Sequence, residues 1–165
     1  MAEEQTNRTS PMWRGTVVSL HIAGVAAEAM RSVDEVRAVA GKGLEGDRYF
    51  NGTGTWSKTR TAAPVTLIEI ETFETLKRDY GITLALGDTR RNIVTRGVPL
   101  AHLVGRQFRV GSVVLLGVRL VEPCDHLARL TNRRVLTALI HRGGLRADIL
   151  AGGVIGVGNA VEPAA

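Results

Sequence analysis

"LGDTRRNIVTRGVPLAHLVGRQFRVGSVVLLGVRL", residues 86–120, is the stretch on which the fold turns. It holds four short β-like pieces, at 91–95, 107–110, 112–116 and 117–121, punctuated by Gly97, Gly105, Gly111 and Gly117. The run from Phe108 to Leu120 alternates well enough for a tight antiparallel pair or a bulged strand. Many short strands with glycine corners predict a curved sheet that closes into a barrel.

The flanking sequence extends this reading. Residues 14–23 make a first strand with mixed alternation, and Val36, Ala38 and Ala40 make a second that ends at Gly41. Glycines at 41, 43 and 46 then force an irregular turn. "NGTGTWSKTRTAAP" (51–64) is a polar loop of a length that tends to be functional. Residues 64–81 begin as a strand and become a helix, with Ile70, Phe73 and Leu76 at helical spacing and Gly81 as its stop. Leu127, Leu130, Val135, Leu136, Leu139 and Ile140 suit one or two short helices ahead of Gly143-Gly144, after which the chain returns to β. The predicted class is mainly β with peripheral helices (α+β).

Length and composition bound the function. The 165 residues predict a disordered tail over 1–13 and a single domain over 14–165. A hydrophobic fraction of 44% is that of a globular chain. One cysteine cannot form an internal disulfide, the first residues lack the apolar core of a secretory signal, and no apolar run is long enough for a membrane span. The expectation is a soluble cytoplasmic protein with no membrane partner. The net charge of +5 is uneven: Arg90 to Arg146 carries eleven arginines against Glu122 and Asp125, a net +9, which leaves the remainder at −4. Arginine's planar fork suits phosphate or carboxylate, and a solvated arginine-rich face is the competing reading. With 4% aromatic residues, base stacking has little to work with, so nucleic acid is not expected as a partner.

Motifs narrow the chemistry further. The glycines at 152, 153, 156 and 158 have no helix after them, so they read as barrel corners and not as a dinucleotide loop. His21, His102, His126 and His141 form no metal-binding pair at helical spacing. Cys124 follows Pro123 and precedes Asp125, which can cap a helix beginning there. A helix N-terminus and nearby arginines favour a thiolate, a nucleophile and soft-metal ligand, while Glu122 and Asp125 oppose it if close to the sulfur. A small buried filler is the other reading of the same residue.

The ordered set "GLEGDRYF" (43–50), "VTLIEIETFETL" (65–76), "RRNIVTRGVPLAHLVGRQFRVG" (90–111), "VEPC" (121–124) and a glycine-rich closing strand resembles the MOSC family, the molybdenum cofactor sulfurase C-terminal domain, in its small single-domain bacterial form. The resemblance spans roughly residues 14 to 162 and implies a closed, β-barrel-like sheet. It also implies a molybdenum cofactor (molybdopterin), with Cys124 as metal ligand and catalytic residue. Arg90 and Asn92, matching R-x-N, and Asp47 and Arg48, matching G-x-x-G-D-R, are then cofactor-binding. Tyr49 stands where many relatives have histidine, Pro99 where a polar residue is common, and Asn159 where an acid is frequent.

Three functions stay open. The first is an oxidoreductase that reduces small N-hydroxylated compounds with electrons from a separate donor. The second is a sulfur carrier that holds a persulfide on Cys124, loaded by a cysteine desulfurase. The third is a non-catalytic binding module. No lysine environment predicts a pyridoxal phosphate site, and nothing in the sequence sets the oligomeric state.

Overall fold

The mixed alternation of the first apolar run has a structural cause. Strand β1 (Gly15–Ile22) slips in register against β6 (Ile93–Arg96) between Val17 and Ser19. The bulge resets parity, so Val17, Leu20 and Ile22 all join the core while Ser19 and His21 take the opposite face. The computed structural model describes residues 12–54, 63–121 and 137–164; the tail assigned to 1–13 lies almost wholly outside them.

Seven strands form a closed ring. In spatial order they are β11 (Ala160–Pro163), β7 (Gln107–Val110), β8 (Val113–Leu120), β9 (Leu145–Ala151), β5 (Val65–Glu69), β6 and β1. Gly15 opposite Val161 and Thr16 opposite Ala160 close it, and β2 (Arg31–Val33) adds to the far half of β1. A small second sheet is built from β10 (Gly153–Gly156), β3 (Glu35–Val39) and β4 (Gly43–Leu44). Its Val36, Ala38, Leu44 and Ile155 share one apolar cluster with the barrel's Leu67, Ile93, Phe108, Leu115 and Leu145. Each such side chain contributes about 1.5–3 kcal/mol on burial. Among the described residues, no helix is long and apolar enough to cross a membrane.

Strand β5 is buried on both faces because helix α2 (Ile70–Tyr80) covers its outside. Phe73 packs with Ile68 and Val94 there, and Gly81, at φ 64°, ends the helix as its spacing predicts. The α2 crossover lets β5 and β6 run parallel.

Three local features differ from the expectations. The predicted pieces 112–116 and 117–121 are one irregular strand, β8, paired with β7 across Gly111. Leu100–Leu103 forms a 3₁₀ turn that crosses β8 at Gly117, where a Cβ would lie 2.0 Å from the Leu103 carbonyl oxygen. The second predicted strand, β3, ends at Val39 before a tight turn, and the irregular 41–46 turn runs into a four-residue helix, α1 (Arg48–Asn51). The helices expected after Cys124 lie largely outside the described residues.

Candidate functional site

One end of the barrel gathers the residues that the G-x-x-G-D-R and R-x-N stretches single out. Asp47 caps α1 and is fully buried. Its Oδ1 accepts from the Ala23 N–H (3.2 Å) and from Arg48 Nη1 (3.1 Å), and its Oδ2 accepts from the Tyr49 N–H (3.3 Å). Arg48, also buried, sends Nη2 to the Arg90 carbonyl oxygen (3.2 Å) and sets Nη1 against Met30 Sδ (3.4 Å). Asp47 is therefore a strut that fixes Arg48, and Arg48 in turn fixes the backbone of Arg90.

Arg90 sits just before β6 in the left-handed region, at φ 62°, which a side chain occupies only when its surroundings hold it there. Its Nη1 donates to the Glu28 carbonyl, and its Nη2 is buried with no acceptor among the described residues. Burial, and then the neighbouring Arg48 charge, hold its pKa below the ordinary arginine value. Asn92 behaves differently. It is fully buried; its Oδ1 accepts from the Thr66 N–H and hydroxyl (both 3.1 Å), and its Nδ2 donates to the His21 carbonyl (3.1 Å). The amide rivets β1, β5 and β6 together.

Three residues that the motifs did not assign complete the arrangement. The Tyr49 ring lies between two guanidinium groups, with Arg48 Cζ and Arg146 Cζ each 4.8 Å from its centroid. Its hydroxyl accepts from Arg146 Nη2 (3.1 Å), while Arg146 Nη1 donates to the Ala63 carbonyl (3.1 Å). Arg119 stands opposite Arg146 in the β8–β9 register. Its Nη1 is buried without an acceptor among the described residues, and burial followed by the Arg146 charge depresses its pKa. In sequence, Arg119 and Arg146 were two of eleven arginines. Strand position separates them from the exposed Arg109 of β7.

The strand that carries Arg119 leads to the cysteine. The Val121 N–H donates to the Gly144 carbonyl (2.8 Å), and Cys124 follows three residues later. Cys124, with Glu122, Asp125 and His126, lies outside the described residues. Among those described, no group of three or more histidine, cysteine or acidic side chains is placed to hold a metal.

The arrangement can be set beside known proteins. No curated protein matches the chain. Of solved structures, the YuaD protein of Bacillus subtilis superposes with a TM-score of 0.76 at 16% identity, over 92% of this chain and 97% of that one. YiiM from Geobacillus stearothermophilus gives 0.70 at 16% identity, over 92% and 75%. YiiM from Escherichia coli gives 0.62 at 17% identity, over 94% and 71%. At these identities the likeness concerns the fold, which is the barrel described above. The sequence pattern of the MOSC domain matches residues 43–162, from the turn that presents Asp47 and Arg48, through the R-x-N stretch, to the strand that closes the ring. On that match the chain belongs to the MOSC domain family.

Proposed function

We propose that this chain binds a molybdopterin-type molybdenum cofactor at the arginine-rich end of the barrel, with Cys124 as the metal's thiolate ligand. The observation that carries the reading is a charge imbalance in the interior. Among the described residues, Arg48, Arg90 and Arg146 are buried near one buried carboxylate, that of Asp47. Buried charge is costly unless it is paired, and Arg90 Nη2 and the partly buried Arg119 Nη1 each lack an acceptor there. These donors fit a polyanionic group such as a pterin with its phosphate and dithiolene.

In this reading Arg90, Arg48, Arg146 and Arg119 hold the anionic parts, and the Tyr49 ring keeps two of those guanidinium groups at a fixed spacing. Asp47 and Asn92 act as positioning residues: one fixes Arg48, the other fixes the start of β6. When bound, the cofactor supplies two-electron chemistry at molybdenum. The reaction assigned is reduction of small N-hydroxylated compounds, with electrons from a separate donor protein.

Measurement of metal in protein from a cofactor-competent host tests the reading. We expect molybdenum in the wild type and its loss in Cys124→Ala. Metal-free wild-type protein, or metal retained in Cys124→Ala, overturns it. Metal-free protein that gains one sulfur on Cys124 after incubation with a cysteine desulfurase and cysteine would make the persulfide carrier the function instead.

A further inference from the structure

On the outer face of the barrel, beneath the loop that leads into β6, lies a cleft of about 520 Å³. Its polar lining is Ser19, His21, Ser32, Asp88 and Arg90, and Met30 and Leu86 supply apolar wall. The β1 bulge turns Ser19 and His21 to this side, and β2 sets Ser32 directly opposite His21. Gly87 lies so close that a Cβ there would be 3.1 Å from His21 Nδ1, so the loop seats against the ring.

The His21 ring is bracketed by hydroxyls. Ser19 Oγ is 2.8 Å from Nε2, and Ser32 Oγ is 3.4 Å from Nδ1. Burial lowers the His21 pKa, so the ring is neutral at pH 7 with one donor and one acceptor nitrogen. In one tautomer Ser19 donates to Nε2, Nδ1 donates to Ser32, and the Ser32 proton is left over. In the other tautomer the Ser19 proton is left over. Either way the cleft keeps a spare hydroxyl donor beside the Arg90 guanidinium. Of the exposed carboxylates here, Asp88 at the cleft's edge commits Oδ2 to the Ala85 N–H (2.8 Å), and Glu28, outside the lining, commits Oε2 to the Val25 N–H (3.2 Å).

We propose that this cleft is a second ligand site, which holds a small organic molecule by a terminal oxyanion, phosphate or carboxylate. The oxyanion sits between Arg90 and whichever hydroxyl, of Ser19 or Ser32, keeps its proton free, and the apolar body of the ligand lies against Met30 and Leu86. The site rests on outer-face residues and needs neither Cys124 nor a metal. Arg90 borders both this cleft and the arginine cluster, so the test keeps the two apart.

Inorganic phosphate and, separately, acetate are titrated into the full chain while the His21 ring signals are followed by NMR. A saturable shift with phosphate, acetate or both supports the site and names its oxyanion. Binding weakens about tenfold in the double variant Ser19→Ala/Ser32→Ala, which removes the spare hydroxyl in either tautomer and keeps the His21 reporter, as expected when a hydrogen bond to a charged group is lost. Ser32 is exposed and Ser19 half-buried, so the double variant keeps the fold, which its His21 signals report. No shift at millimolar anion, or equal affinity in the double variant, overturns the proposal. So does loss of the shift in molybdenum-loaded wild type, which would make the cleft part of the cofactor site. Molybdenum content reports on the cofactor reading and anion titration on this one, so either can fail alone.

Discussion

Asp47 decides more at this site than its single charge suggests. Its carboxylate takes three donors, and its partner Arg48 is also buried. Such a pair adds little over a well-packed apolar replacement, but removing one member strands the other. Asp47→Ala is therefore expected to cost about 3–5 kcal/mol in urea unfolding, and the double variant Asp47→Ala/Arg48→Met less than that. Glu69 carries the opposite kind of burden. Burial, with the Glu71 charge second, raises its pKa from 4.5 to about 6. The folded state therefore binds its proton more tightly than the unfolded state. The contribution of Glu69 is fully present below pH 4.5 and is lost as pH rises through about 6. Glu69→Gln should then stabilise the protein near pH 7.5 by about 1 kcal/mol, after allowance for partial exposure, and change little at pH 4. Paired thermal melts at the two pH values check this.

At the scale of elements, the crossing of β8 by the Leu100–Leu103 turn is a single point of close approach. The Gly105 N–H donates to the Gly117 carbonyl (2.8 Å), and the Gly117 N–H donates to the Arg106 carbonyl (3.0 Å). A methyl at Gly117 would meet backbone and not a movable side chain. Gly117→Ala is expected to cost about 3 kcal/mol or more, read as a lower denaturation midpoint with the slope unchanged. The glycines, the α2 helix with its Gly81 stop, and the β7–β8 pair were legible in the sequence because each is local. The 3₁₀ turn was not, because its reason for existing is the strand beneath it. The candidate site divides in the same way. The motifs singled out Arg48, Asp47, Arg90 and Asn92, whereas Tyr49, Arg119 and Arg146 meet only through a pairing of strands remote in sequence.

For the whole molecule, closure of the barrel rests on a short seam. Strand β11 meets β1 at two residue pairs and β7 at three. Truncation before Ala160 should open the ring and leave β1 and β7 with unpaired backbone edges, which template association. Size-exclusion chromatography is expected to show oligomers and precipitation in place of the full chain's profile. Alternating and punctuated runs of this sequence determined by themselves that the chain is a small, mainly β barrel with a thiol beyond one strand end and arginines crowded into one half. That follows because side-chain period and glycine conformation act over a few residues. Only the tertiary structure decided which arginines are buried, that the motif asparagine is spent on holding strands, and that a bulge in β1 turns His21 outward. Those outcomes depend on register between distant strands, and a shift of one residue would have sent each side chain to the other face.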